Sequence, residues 1–406
     1  MALMAVREAA VVATDRSRTR VRRWLALLVI GSFASTAWAS VLPEERIDVL
    51  YHSYDGGGVK IDGPSVLVRK SIGESVSVSG KYYVDTVSGA SIDVEAAGVD
   101  VNSAASPYAE ERTEYNAGID YLNDRTLISA GYATSQENDY DAETVSFGIT
   151  QTFFGDLTTV SLTTSYGDDV IGRNDRPDFE EHLERRRYGL TLTQILRTDL
   201  IAAFSYEAVI DEGFLNNAYR QVRYRDSSSA RGYSYQPEVY PNTRNSDAFG
   251  LRAIYHLPNR RSALRVEYRY FQDNWAIEAH TGELRYTHSH DDNWLFELKL
   301  RHYDQTGADF YSDLYDFRDA QNYLARDKEM GPFSSNTIGL GATYNLPRFA
   351  IPGFERSSIN LYWDHIRFDY EDFRDVRVSP DDYAAGEEPL YQFDANVIRF
   401  YLSFWF

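Results

Sequence analysis

The sequence predicts an all-β membrane protein, a transmembrane outer-membrane antiparallel β-barrel of about sixteen strands, and three observations carry that expectation. From Glu44 to the C-terminus, apolar and polar residues alternate with period two over stretches of eight to eleven residues, and no helical stripe is sustained. The connections between those stretches are by turns short and long. The chain closes on NVIRFYLSFWF, an alternating segment whose last residue is phenylalanine.

Composition narrows the class further. The 406 residues include 61 acidic and 41 basic side chains, a net charge of -20, yet also 31 Tyr, 21 Phe and 6 Trp. A disordered acidic chain lacks such rings, and a mean hydropathy of -0.45 is too polar for a helical membrane protein. The absence of cysteine excludes disulfide frameworks, thiolate nucleophiles, cysteine-ligated zinc and thiolate-held iron-sulfur or c-type haem groups. The acidic balance speaks against nucleic-acid binding.

The first element in order is an export signal. Residues 1–23 hold six arginines against two acids and run into WLALLVIGSFA, an apolar run too short to span a bilayer as a helix. Ala37 and Ala39 are the small residues before cleavage, so residues 1–39 read as a signal peptide and 40–406 as one barrel domain. Removing six of 41 bases and two of 61 acids leaves 35 against 59, so the mature chain is the more acidic.

The expected strands are 46–54, 60–70, 75–84, 113–122, 126–135, 143–153, 158–166, 184–196, 199–208, 247–256, 263–271, 276–287, 293–303, 336–345, 358–368 and 396–406. The extended connections, such as 85–112, 167–183, 209–246, 304–335 and 369–395, all follow odd-numbered strands. Those after even-numbered strands are generally tight, as at Asn123-Asp124-Arg125. Such parity is expected of an up-and-down barrel whose two ends face different compartments, with the long loops at the cell surface. A soluble sandwich also supplies alternating strands, but rings near strand ends, at Tyr82, Tyr83, Tyr132, Tyr166, Tyr206, Tyr255, Tyr286, Tyr344 and Trp363, suit girdles at two membrane surfaces.

The alternation assigns faces. Arg265, Glu267, Arg269, Glu297, Lys299, Arg301 and Arg399 alternate with apolar rows and are expected to line the lumen, where a charge lining sets selectivity. Gly339 and Gly341 suit a wet or crowded interior on the same reasoning. In the last strand, Ile398, Phe400, Leu402, Phe404 and Phe406 share the other face. Phe400, Leu402, Phe404 and Phe406 resemble the terminal signal by which barrel-assembly machinery recognises outer-membrane strands.

Beyond the generic barrel, EYRYFQDNWAIEAHT (267–281), RHYDQTGADFYSD (301–313) and RDKEMGPFSSNTIGLGATY (326–344) resemble the bacterial family known as domain of unknown function number 3570. ERIDVLYHSYDGGG (45–58) and ERTEYNAGIDYL (111–122) fit it as well. The resemblance implies an outer-membrane barrel. Genes of that family often sit near those for a small lipoprotein, a thioredoxin-like protein and an enzyme that attaches flavin mononucleotide to exported proteins. It therefore implies an extracytoplasmic redox setting, and no catalytic residues.

Enzymatic constellations are thin. In THSHDDN, His288, His290, Asp291 and Asp292 offer metal-ligating types, but a polar turn explains them as well, and the metal stays unassigned. His280 within a strand, with His302, Asp304 and Asp309 nearer a long loop, suggests a polar network or lumenal constriction. HEXXH and phosphate or dinucleotide loops are absent. The acidic loops 304–335 and 369–395 read as solvated surface or as divalent-cation bridges to lipopolysaccharide, and their aromatic clusters as packing.

The expectation is thus a non-enzymatic barrel of the cell outer membrane, without its own cofactor. It acts as a channel, or as a sheath or scaffold for a periplasmic or small lipoprotein partner, with membrane lipid and lipopolysaccharide around it. The alternative is an outer-membrane hydrolase of lipid or peptide.

Overall fold

The computed structural model describes residues 41–89, 109–378 and 381–406. The expected signal peptide, its cleavage before Ser40 and most of the 85–112 connection lie outside the described residues. The strands are β1 (Arg46–Gly56), β2 (Val59–Ile72), β3 (Val76–Gly89), β4 (Ala109–Asn123), β5 (Thr126–Gln136), β6 (Tyr140–Phe153), β7 (Thr158–Ile171), β8 (Glu181–Arg197) and β9 (Leu200–Gly213). They continue with β10 (Gln221–Arg225), β11 (Tyr233–Pro237), β12 (Thr243–Leu257), β13 (Ser262–Asp273), β14 (Glu278–Ser289), β15 (Trp294–Gln305), β16 (Phe333–Asn345), β17 (Arg356–Arg374) and β18 (Leu390–Trp405).

All but β10 and β11 form one closed antiparallel barrel of sixteen strands, which β18 completes by pairing with β1 from Arg46↔Trp405 to Gly56↔Ala395. Closure satisfies every strand edge, the condition for a sheet to lie in hydrocarbon. Each barrel strand overlaps one of the expected segments, and several run on toward the long connections, as β9 does to Gly213 and β17 to Arg374. There the hydropathy alternation gives way to polar rows while the hydrogen-bonded ladder continues, so hydropathy alone undercounts strand length. At the first hairpin, Gly57 (φ 62°) and Gly58 (φ 85°) take the two positive-φ positions of a two-residue turn.

The two faces differ as alternation requires. Val266, Tyr268, Leu298, Leu300, Leu340, Leu361, Ile398 and Phe400 are exposed on the convex side, Leu340 and Leu361 at 51%. The residues between them carry the charges and point inward.

Two features differ from expectation. The short hairpin β10–β11, paired from Gln221↔Pro237 to Arg225↔Tyr233, lies in the 209–246 connection, where an alternation of only five residues is too short to single out a strand. The rings are also not confined to the lipid-facing rows. Tyr83 points inward and stacks on His52, while Tyr54, Phe333, Phe368, Tyr370, Phe373 and Tyr391 form a buried cluster at the long-loop end.

Candidate functional site

The concave wall from β12 to β18 carries a ladder of paired charges. Arg265 Nε donates to Glu267 Oε1 at 2.8 Å, and Arg252 contacts the same carboxylate. Arg285 bridges two acids, Glu283 at 2.8 Å and Glu297 at 3.1 Å. Asp364, only 2% exposed, accepts from Lys299 Nζ at 2.7 Å and Arg399 Nη2 at 2.5 Å. Arg269 stands 3.5 Å from Glu207. Arg285, Glu297, Lys299, Tyr362, Asp364 and Arg399 edge a cavity of about 200 Å³. There Tyr362 stacks on Tyr401 with ring centroids 5.9 Å apart.

Glycine makes this arrangement possible. Lys299 on β15 reaches Asp364 on β17 across the intervening β16, whose residue in register is Gly339. A β-carbon at Gly339 would overlap Asp364 Oδ1 and lie 2.8 Å from Lys299 Cε, and one at Gly341 would lie 2.5 Å from the Tyr362 ring. The alternating glycines of β16 thus make room for long side chains that meet over them.

All seven residues expected on the inner wall, Arg265, Glu267, Arg269, Glu297, Lys299, Arg301 and Arg399, share the concave face with this ladder. Sequence reading missed Arg285, Tyr362, Asp364 and Tyr401, although the same parity places them there. On the convex face, Phe400 is 41% and Phe406 40% exposed. Phe404 and Phe406 each pack on Phe354 at 5.1 Å, and Leu402 lies in the same row.

His280 and His302 do not form a lumenal constriction. His280 and His302 share the convex parity of Leu284 and Leu300; Tyr268 Oη lies 2.6 Å from His280 Nδ1, and His302 Nδ1 lies 2.9 Å from Asn336 Oδ1. A period of two forces this, because His302 follows Leu300 on one row. In THSHDDN, His288 and Ser289 belong to β14, and Asp291 accepts from the Asn293 and Trp294 backbone amides at 2.8 and 2.7 Å, closing a polar turn. Among the described residues no group of three or more metal-ligating side chains converges.

The long connections interlock into a cap. Arg223, fully buried on β10, donates Nη1 to Glu388 at 2.6 Å and Nε to the Asp313 carbonyl at 2.9 Å, and it contacts the Asp313 carboxylate. Arg326 holds the other side of Asp313 at 2.9 Å and lies over the Phe373 ring at 4.3 Å. Glu238 accepts the backbone N–H groups of Arg326 and Asp327 at 2.7 and 2.8 Å. Tyr240, Trp275 and Phe310 pack edge-on nearby. The Asn174 amide donates to Asp139, tying two further connections to the same end. The loop acids are therefore not all solvated: Asp313, Asp327 and Glu388 are buried against arginine.

Burial alone would raise the Glu388 carboxyl, but its hydrogen bond and charge contact with Arg223 outweigh burial and hold it below the ordinary value. A depressed folded-state pKa contributes stability that is full above the ordinary carboxylate range and is lost as pH falls through the folded value. Acidification is therefore expected to loosen the cap before the barrel. Protection factors over 306–332, corrected for the pH dependence of intrinsic exchange, should fall as pH drops below about 4.5, and unchanged protection would contradict this account.

A closed sixteen-stranded sheet with an apolar convex belt, a charged concave wall and long loops at one end defines an outer-membrane-type β-barrel. The chain belongs to the family described as Protein of unknown function (DUF3570), whose profile matches residues 25–188 and 173–350. No curated protein sequence matches it significantly.

Among solved structures, the siderophore receptor PirA from Acinetobacter baumannii is 9% identical, with 87% of this chain and 57% of that one covered, at a TM-score of 0.43. PirA from Pseudomonas aeruginosa is 10% identical, with 89% and 63% covered, at 0.44. A bacterial polysaccharide outer membrane secretin is 8% identical, with 89% and 98% covered, at 0.46. The chain spans about three-fifths of the length of the two receptors.

Proposed function

We propose that the protein resides in the outer membrane as a conduit for small polar solutes, with the loop cap gating its outer mouth. The observation that carries this reading is the concave wall. Its charges are satisfied largely by one another and its β5–β9 sector presents Ser129, Thr144, Thr163, Ser165, Thr191 and Ser205, a lining suited to water and polar solutes. Export through residues 1–39 and assembly through Phe400, Leu402, Phe404 and Phe406 bring it to a membrane where the convex belt meets lipid and lipopolysaccharide.

The purified protein in planar bilayers is expected to conduct in discrete steps, more often open at acidic than at neutral pH. Absence of steps under both conditions would sink the conduit reading. A sheath for a periplasmic lipoprotein or redox partner is favoured by a different observation: described loops pack over the capped end, while the opposite end carries mostly tight turns and leaves approach from the periplasm. Co-purification of such a partner with a non-conducting barrel would establish that reading instead. No hydrolysis is expected of the chain, and assays of the detergent-solubilised protein on lipid and peptide are the check.

A further inference from the structure

The mid-wall carboxylates and the mid-wall arginines are not matched one to one. On β13 to β17, Glu267, Glu283, Glu297 and Asp364 are each engaged by arginine or lysine at distances of 3.1 Å or less. Across the lumen on β7 and β9, Asp169 accepts from the Tyr140 hydroxyl and Asp211 pairs with Arg185 at 2.7 Å. The field of each of these six acids is thus weakened at short range.

Two inward arginines between β8 and β15 differ. Arg187 on β8 is exposed and stands among Thr163, Ser165, Gly189 and Ser205. Glu207 and Asp211 flank it on β9, two residues either side of its register partner Val209, but they are engaged by Arg269 at 3.5 Å and by Arg185 at 2.7 Å, and among the described residues no acid lies at ion-pair distance from Arg187. Arg301 on β15 is in register with Glu283, but that carboxylate is turned to Arg285, and Arg301 makes no ion pair of its own among the described residues. Arg301 sits two residues beyond Lys299, which itself lines the cavity of about 200 Å³. In the barrel order the two arginines are separated by five strand steps, so they face the lumen from different walls.

We propose that the lumen selects anions, specifically small oxyanionic solutes bearing a carboxylate or phosphate, and that Arg187 and Arg301 determine that selectivity. A guanidinium with unoccupied donors offers a planar fork to such groups, and a cleft with low-dielectric walls focuses the field of its unbalanced charges. The unpaired charge of Arg187 and Arg301 is therefore opposite in sign to the net charge of the whole chain, -20. The inference rests on the conduit reading and deepens it.

The test is the reversal potential of the full-length protein in a planar bilayer under a potassium chloride gradient, measured for the wild type, for R187Q/R301Q and for a cap-loosened E388Q form. The expected result is anion preference in the wild type and E388Q. In R187Q/R301Q the ratio of anion to cation permeability should fall by a factor of about ten. Unheated gel mobility confirms that each variant is a folded barrel. Swelling of proteoliposomes in acetate, phosphate and neutral sugar then separates the two oxyanion classes.

Cation preference in the wild type, or an unchanged ratio in R187Q/R301Q, overturns the anion inference while leaving a conduit in place. Absence of current in the wild type and in E388Q overturns the conduit reading and this inference together.

Discussion

Arg223→Ala should release the outer cap while leaving the barrel closed. Arg223 is completely buried and is the common partner of Asp313 and Glu388, drawn from connections 90 and 165 residues away. Removing one member of a buried ion pair costs about 3–5 kcal/mol, because the remaining charges lose their compensation. Asp313 keeps Arg326, so Glu388 carries most of that loss. The loops are expected to become sensitive to protease in reconstituted membranes, and open-channel events should become about ten times more frequent or more, since 1.4 kcal/mol already gives a factor of ten. The barrel ladder does not include β10, so heat-modifiable gel mobility should persist. Protease resistance equal to that of the wild type would show that the network does not hold the cap.

Gly339→Leu is the second change with a large expected effect. The new β-carbon would overlap Asp364 Oδ1 and crowd Lys299 Cε, so the bridge across β16 must break. Overpacking costs about 1–3 kcal/mol, and separating Lys299 from Asp364 leaves both poorly compensated on a wall where Lys299 is 9% exposed. A lower denaturation midpoint and smaller single-channel steps are expected together. Gly282→Leu, on the convex side of β14 with no atom within 4 Å of the place a β-carbon would take, should be nearly neutral in the same assays. Equal behaviour of the two variants would remove the crowding account.

The contrast between Gly339 and Gly282 shows how far sequence reaches. Alternation places Gly339 on the inner face, because side-chain direction in a strand follows parity and nothing else. It does not say whether that position faces water or a neighbouring side chain. The answer depends on Asp364, which meets Lys299 only once β15, β16 and β17 are in register.

Sequence by itself determined the barrel: the number of strands, their order, the faces of Arg265 through Arg399 and the end that carries long loops. These follow from a period-two pattern and from loop length, both local properties of the chain. Tertiary structure alone decided the cap, the inward aromatic cluster, the contact of His302 with Asn336, and which charges are paired. Arg223 and Glu388 lie 165 residues apart. No pattern along the chain distinguishes a loop acid that meets water from one that meets a buried guanidinium, because desolvation and pairing depend on distances that exist only after the sheet has closed.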